Sequence, residues 1–545
     1  MDNLVEDRTI PTDDTREIDQ PRRQFIQRGA LITAASCVPS ALRSAWAHGE
    51  DRPDSLFTLG VASGDPSPHG VVLWTRLAPD PLNGGGMGNR SHELRWRVAR
   101  DPAMRHIVRD GDVDARPEQG HAVNVTVNGL EPDQWYYYQF SHRGSRSRIG
   151  RTRTFPRAGA RVPHLRFALA SCQHYEQGYY AAYRDMLTQE LDFVLHVGDY
   201  IYEYGADAAV PAARRHTGAE INSVSDYRNR YALYRLDPHL QNAHAAFPFI
   251  VTSDDHEVDN NYAGLIPEDD QTAAAFLARR TNAYQVYRET MPLERGVRLR
   301  QGELSLYRRV RYGRLAQFLV LDSRQFRSDQ PCADGLQILQ QCPAILDPEA
   351  TLLGAEQETW MFDQLRHSDA TWNVLAQQVM MMQWDLGVLT GQPVNFFNVD
   401  AWDGYQVARN RIMQFLHDAQ IPNTVVLSGD IHSSWAANLK RDFSDAQSPI
   451  VGAEFVCSGI SSSFGDNNAA AVNFTLPSNP HIRHFDGLHR GYAICTVTPD
   501  QWRTDFRAVT RVADPVFTVP SAELALFDLA AYGLIVGQPG LNKLL

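Results

Sequence analysis

Two regimes of hydrophobic spacing divide the chain. From about Leu56 to Phe155, short runs such as "GVVLWTRLA", "HELRWRVAR", "HAVNVTVNGL", "QWYYYQFSHRG" and "RIGRTRTF" alternate apolar with polar residues and are separated by turn-forming clusters. Alternation of this kind predicts strands, and their even spacing predicts a small β-sandwich. After Pro156 the pattern changes. Apolar runs at "LRFALAS", "LDFVLHV", "PFIVTS", "LAQFLVLD", "WNVLAQ", "NTVVLSG" and "AEFVCS" are separated by amphipathic helical stretches, for example "AAYRDMLTQE" and "AFLARRTNAYQVYRET". Buried strands alternating with helices predict a layered α/β domain built on a largely parallel or mixed sheet.

Functional groups in such folds gather at the carboxyl ends of the strands. The residues that close these runs are Ser171-Cys172, Gly198-Asp199-Tyr200-Ile201-Tyr202, Asp254-Asp255-His256-Glu257, Asp322-Ser323-Arg324, Gln377-Gln378 and Gly429-Asp430-Ile431-His432. Metal-ligand chemistry, or a cation able to pair with phosphate, is thus delivered strand after strand to one edge. A carboxylate at a strand mouth with a phenol three residues on, as in "VLHVGDYIYEYG", suits a hard, highly charged cation.

Length and charge narrow the class. At 545 residues with 43% hydrophobic content, the chain has material for two domains with sizeable cores. A formal net charge of -12 offers no positive face for DNA or RNA, though a small phosphate-bearing substrate held through metal ions remains open. The N-terminal stretch "PRRQFIQRGALITAASCVPSALRSAWAHGE" combines Arg22-Arg23, Phe25, a weakly apolar stretch and Ala45-Trp46-Ala47. It looks like a twin-arginine export signal over residues 1–47, read by export machinery that carries folded, cofactor-loaded proteins to the periplasm or beyond. No other run approaches the roughly 18 apolar residues of a membrane span, so no transmembrane anchor is expected. Cys332 and Cys342 bracket "CADGLQILQQC" and predict a local disulfide in that oxidising compartment, whereas Cys172, Cys457 and Cys495 are scattered.

The blocks "GDYIY", "DDHEVDNNY" and "SGDIH" resemble the metal-binding blocks of the calcineurin-like metallophosphoesterases. With "SCQHYEQGYYAAYRDM", "LDSRQFR", "LAQQVM", "DAWDGYQVARNR" and the opening "FTLGVASGDPSPHGVVLWTRL", they resemble in particular the PhoD-like alkaline phosphatase family. The resemblance implies a metallophosphoesterase-like layered α/β domain over residues 157–512, preceded by a fibronectin type III-like β-sandwich over 48–156. "GLEPDQWYYYQF" is similar to the tyrosine-corner segment of such sandwiches. Residues 513–545 lie beyond the resemblance, and their apolar content suits a docked helix that fills a surface groove or, alternatively, covers the active-site mouth.

The resemblance also implies roles. Asp199 would bridge two metals, since a carboxylate has two oxygens to share. Tyr202 matches the tyrosine that binds ferric iron in purple acid phosphatases. Cys172, as a thiolate, would join it on the iron side, with His432 as the remaining nitrogen ligand. Asp255 stands for the superfamily's asparagine, Asp430 for a histidine, and Gln377 or Gln378 for another histidine. Oxygen in place of imidazole favours a hard ion, and the family implies Ca2+ beside Fe3+. His256 would contact substrate and donate a proton to the leaving oxygen, and Arg324 would pair with phosphate oxygens. Asn260, Asn261, Asp385 and Asp403 are further oxygen donors.

The function implied is that of an exported alkaline phosphatase, a metal-bound hydroxide attacking phosphorus in line to release inorganic phosphate. Its substrates would be small phosphate esters or lipid headgroups. Alternatives are a phosphodiesterase or phospholipase D-like enzyme on the same centre, and a non-catalytic cell-wall or glycan-binding protein, which would predict lost ligands.

Overall fold

The computed structural model describes residues 56–207, 212–294, 296–510, 512 and 526–544. The twin-arginine signal expected over 1–47 lies outside them. Two large sheets face each other. In the seven-stranded sheet, Ala316–Val320, Trp372–Ala376, Thr424–Ser428 and Ile450–Val456 run parallel, with antiparallel strands at both edges. In the ten-stranded sheet, Leu165–Ala170, Phe193–His196 and Pro248–Val251 run parallel, in the register Phe167↔Phe193 and Leu195↔Ile250.

Period-two alternation explains the layering. Phe318, Val320, Val374, Val425 and Leu427 point inward and meet Phe167, Phe193, Leu195 and Ile250 of the facing sheet. Their neighbours Leu319, Leu375 and Val426 point outward to the helices Gly354–Arg366 and Gln406–Asp418. Phe167 and Phe193 stack with centroids 4.8 Å apart, and Phe318 meets both edge-on. Helices Val224–Arg235, Pro238–Ala246 and Ala273–Thr290 cover the outer face of the ten-stranded sheet. Each has a local reason to start: Ser223 and Asp226 form a reciprocal capping box, Asp237 caps the second with proline following, and Thr272 accepts from Ala275 N.

Two features differ from the sequence expectation. The β-sandwich is present, but Val61–Ser67, Gly70–Arg76 and Ala122–Asn128 are hydrogen-bonded into the ten-stranded sheet through the parallel pair Ser63↔Pro248 and Gly64↔Phe249. The tyrosine corner does form, since Tyr136 Oη accepts from Glu131 N at 2.9 Å. The second difference is at the C-terminus. Instead of a docked helix, Leu526–Ile535 is a strand that adds to the edge offered by Gln501–Val509, with Ala530, Tyr532 and Leu534 turned into the inter-sheet core. Cys332 and Cys342 are joined by the expected disulfide.

Candidate metal centre

Because the parallel strands share a direction, the turns that follow them converge at one end of the sandwich. The backbone there is unusual. Cys172, Asp199, Asp430 and His432 all adopt positive φ, at 56°, 55°, 65° and 57°. A non-glycine residue in this region costs of order 1–3 kcal/mol, which persists where surrounding structure dictates it, commonly at functional sites. Gly198 permits the turn before Asp199: its φ is 118°, and a Cβ there would lie 2.3 Å from the Asp254 Cβ.

Three overlapping groups of donors result here, and a further group is formed by Glu203, Asp259 and Glu268. In the first, Cys172 Sγ, an Asp199 oxygen and a His432 nitrogen all lie within 4.8 Å of one another. The Tyr202 hydroxyl donates to Asp199 Oδ2 at 2.8 Å and lies 3.0 Å from His432 Nε2 and 2.8 Å from Ser462 Oγ. The second group is Asp254, Asp255 and Asp430, again mutually within 4.8 Å. Asp199 also groups with Asp255 and His256, so it lies between the two. Seven of the residues singled out by sequence, Cys172, Asp199, Tyr202, Asp255, His256, Asp430 and His432, are therefore assembled at one place.

Arg324 is fully buried among the carboxylates. Its Nε donates to Asp254 at 2.6 Å, one terminal nitrogen to Asp400 at 2.9 Å and the other to Asp430 at 2.8 Å, the last also 3.6 Å from Asp255. A phosphate could pair with this guanidinium only by displacing one of them. Gln377 is turned elsewhere. Its carbonyl oxygen accepts from Trp402 Nε1 at 3.1 Å and its amide donates to Ser428 Oγ and the Val379 carbonyl. Gln378 is likewise spent, on Ser323, Thr252 and Leu321. Asp385 binds the backbone amides of Gly387 and Phe396, and Asp403 pairs with Arg409, so both serve loop structure. Asn261 N donates to Asp255 Oδ2 at 2.8 Å, and the side chain of Asn260 is spent on Glu268.

The electrostatics ask for cations. Burial, and next the neighbouring Asp199, push the Cys172 thiol and the Tyr202 phenol well above their usual ranges. Burial raises the Asp254 and Asp430 carboxyls as well, against the pull of Arg324. For Asp255 burial is outweighed by Arg324 and His256, which hold it below the usual carboxylate range. Glu257, pushed up to about 8 by burial and then by Asp199, accepts from the backbone of Asp199, Tyr200 and Asp254 and so fixes the two turns against each other. Asp199 Oδ1, Asp254 Oδ2 and Asp255 Oδ1 are buried without a hydrogen-bond partner. Orphaned carboxylate oxygens of this kind are costly in a dry site, and multivalent cations satisfy them. The donor set therefore fits metal binding: sulfur, phenol, imidazole and carboxylate on one side, carboxylates alone on the other.

Sequence reasoning places Asp254 and Glu257 at a strand end without a role of their own, and does not single out Asp400 or Glu203. Asp254 and Glu257 stand in the same "DDHE" block as Asp255, and Asp400 stands three residues before Asp403 in "VDAWDGY". Glu203, directly after Tyr202, accepts from His256 Nδ1 at 2.8 Å.

Residues 167–506 match the PhoD-like phosphatase family, and residues 42–156 match the PhoD-like phosphatase N-terminal domain. The chain is 47% identical over 532 residues to alkaline phosphatase D of Bacillus subtilis (strain 168), covering 96% of this chain and 89% of that protein. A solved structure of PhoD superposes with a TM-score of 0.85 at 47% identity, covering 90% of this chain and 92% of that one. The purple acid phosphatase PPD1 from yellow lupin shares the fold at 11% identity, with a TM-score of 0.52 over 87% of this chain and 73% of its own. The chain belongs to the PhoD-like phosphatase family.

Proposed function

We propose that the chain is a metal-dependent phosphoric ester hydrolase, an alkaline phosphatase that releases inorganic phosphate from small phosphate esters. The observation that carries the reading is the buried donor set itself. Asp254, Asp255, Asp400 and Asp430 gather around Arg324, Asp199 groups with Asp255, and three of these carboxylates keep a buried oxygen without a hydrogen bond. Cys172, Tyr202, His432 and Asp199 would hold Fe3+, the set in which a phenol and a thiol need a strong Lewis acid to ionise. Asp199, Asp255, Asp430 and Asp254 would hold Ca2+, which prefers oxygen. When bound, such ions supply Lewis acidity toward phosphate oxygens and toward the attacking water.

The chain's own residues do the rest. Arg324 keeps four carboxylates in place, Tyr202 fixes the rotamer of Asp199, and Glu257 ties the Asp199 and Asp254 turns together. His256 faces the site with one nitrogen held by Glu203. Among the described residues no helix is long and apolar enough to cross a membrane. Export through the twin-arginine leader is part of the reading, supported by that leader's sequence and by the Cys332–Cys342 disulfide, a bond that persists in oxidising compartments.

The test is hydrolysis of p-nitrophenyl phosphate and its bis-ester before and after calcium chelation, with elemental analysis of the same sample. Monoester turnover that falls on chelation and returns with Ca2+, together with one iron per chain, is expected. Two zinc ions and no iron would overturn the metal assignment. Preference for the diester would replace phosphatase by phosphodiesterase, and inertness toward both esters would sink the enzyme reading.

A further inference from the structure

We propose that a cleft on the flank of the protein, lined by Arg288, Arg298 and Arg300, is a second anion site that takes the phosphate group of a small phosphate ester. It opens between the short turn Pro117–Gln119 and the C-terminal end of helix Ala273–Thr290, and encloses about 510 Å³. The metal centre lies elsewhere. Arg279, on the same helix, pairs at 2.8 Å with Asp259, close in sequence to Asp255, and Arg288 stands about 14 Å further along the helix axis.

The walls of the cleft are held in place. Arg298 and Arg300 belong to a hairpin in which Leu299–Arg300 pairs with Glu303–Leu304. Gln325 accepts from Leu304 N at 2.8 Å and donates to the Leu304 carbonyl at 2.9 Å, and Leu304 is fully buried, so the hairpin is anchored to the body of the protein. Its turn at Gly302, with φ 81°, sits against the helix, where a Cβ would lie 2.5 Å from Leu277 Cδ1. Arg288 Nε donates to the Val297 carbonyl at 2.9 Å, which ties the helix to the same segment.

What this leaves over is positive charge. Among the described residues the terminal nitrogens of Arg288 and the guanidinium groups of Arg298 and Arg300 have no hydrogen-bond or ion-pair partner. Of the two carboxylates in the lining, Glu289 is already neutralised by two bonds from Arg228, both at 2.7 Å, so Glu118 alone offsets the three arginines. Behind the wall Arg76, 3% exposed, donates to the Gly120 and Arg228 carbonyls and leaves Nη2 buried without a partner. Burial, and next the charge of Arg228, push this guanidinium down to about 10, as expected where cations outnumber anions. In a chain of formal net charge -12 this local excess is the exception.

The donors define the ligand. Each guanidinium offers five N–H groups in a planar fork. Three forks exceed what the two oxygens of one carboxylate can accept, whereas a phosphate monoester brings three terminal oxygens and nearly two negative charges. The cavity falls in the range of small-molecule sites and is larger than a bare phosphate ion needs. The organic part of an ester has room there, with Glu118 and Gln119 as acceptors for its hydroxyl groups.

Binding, which does not depend on turnover, tests the site. The metal-loaded enzyme would be titrated calorimetrically with 3,4-dihydroxybutylphosphonate, an ester mimic that is not hydrolysed, and in parallel with inorganic phosphate and with succinate. The natural chain should bind one equivalent of the phosphonate more than Arg298→Ala/Arg300→Ala, in which the flank site weakens at least about tenfold. Hydrolysis of p-nitrophenyl phosphate should be the same in both. Should the hairpin variant fail to fold, Glu118→Gln on the opposite wall, which removes the one opposing charge, should tighten the flank site by about two- to fivefold. Equal stoichiometry and affinity in the natural chain and the hairpin variant, unchanged or weaker binding to Glu118→Gln, or succinate bound as tightly as the phosphonate would each overturn the site. Inorganic phosphate bound as tightly as the phosphonate would overturn its assignment to an ester in favour of the free ion.

Discussion

At the scale of single residues, the metal centre is built from side chains far apart in the chain, Tyr202 meeting Asp199, His432 and Ser462 at one hydroxyl. Cys172, Asp199, Tyr202, Asp255, Asp430 and His432 are legible because each closes an apolar run, and a strand end is a place the chain direction itself defines. Which of several nearby carboxylates matters is decided across the molecule: Arg324 draws Asp400 into the centre, and Arg409 holds Asp403 in a loop three residues on. Arg324 shows the same limit. Its type suggests phosphate, but its three nitrogens are spent on Asp254, Asp400 and Asp430. Arg324→Met should therefore destabilise the fold by about 3–5 kcal/mol, the usual result of stranding buried charge. Denaturant unfolding in the presence of chelator measures it, and a loss below about 1 kcal/mol would show that the guanidinium does not hold the cluster. Tyr202→Phe removes one hydroxyl shared by Asp199, His432 and Ser462. The variant should fold and should lose any visible phenolate-to-iron absorption; a spectrum identical to the parent's would take Tyr202 out of the iron site.

At the scale of elements, strands were legible where their residues alternate between two cores. Loops were legible only where chemistry marked them. The segment 330–342 illustrates the second case: sequence predicts its disulfide but not what the bond secures. In the structure Leu336–Ile338 pairs with Phe396–Asn398, Gln330 Nε2 donates to Asp400 Oδ1 at 3.0 Å and to the Asn261 carbonyl at 2.6 Å, and Asn261 Nδ2 donates to Asp334 at 2.5 Å. The loop thus braces Asn261, whose amide holds Asp255. Closing a loop of this size contributes about 3 kcal/mol where the loop opens with the bond. Replacing Cys332 and Cys342 by serine should accelerate amide exchange in 330–342 and 396–398 while leaving the core strand Thr424–Ser428 protected. Equal acceleration in both would mean that the bond stabilises the whole fold and not this loop.

At the scale of the molecule, the alternation of strands and helices gives the layered class directly, but the way the sheets extend at their edges is not written in any local window. Val61–Ser67 looks like any sandwich strand until it pairs with Pro248–Val251. The stretch "ALFDLAAYGLIV" is rich in the good helix formers alanine and leucine, and read alone it favours a helix. What overrides that preference is the open edge of Gln501–Val509. Nine residue pairs join it to Leu526–Ile535, Tyr532 Oη donates across the core to the Arg483 carbonyl at 2.7 Å, and Leu541 N donates to Asn438 Oδ1 at 2.8 Å. A C-terminal segment held this way is part of the sandwich and cannot act as a detachable cover. Ending the chain after Val512 would expose the long strand edge and uncover Trp502 and Phe506, which share a core cluster with Tyr532, Leu534 and Leu541. With burial of each large apolar side chain worth about 1.5–3 kcal/mol, the truncated protein should lose several kcal/mol of stability and tend to associate through the bare edge. Thermal unfolding and light scattering of the truncated chain measure both. A transition at the parent's temperature, with the relative rates on large and small esters shifted, would restore the cover as the better account of this segment.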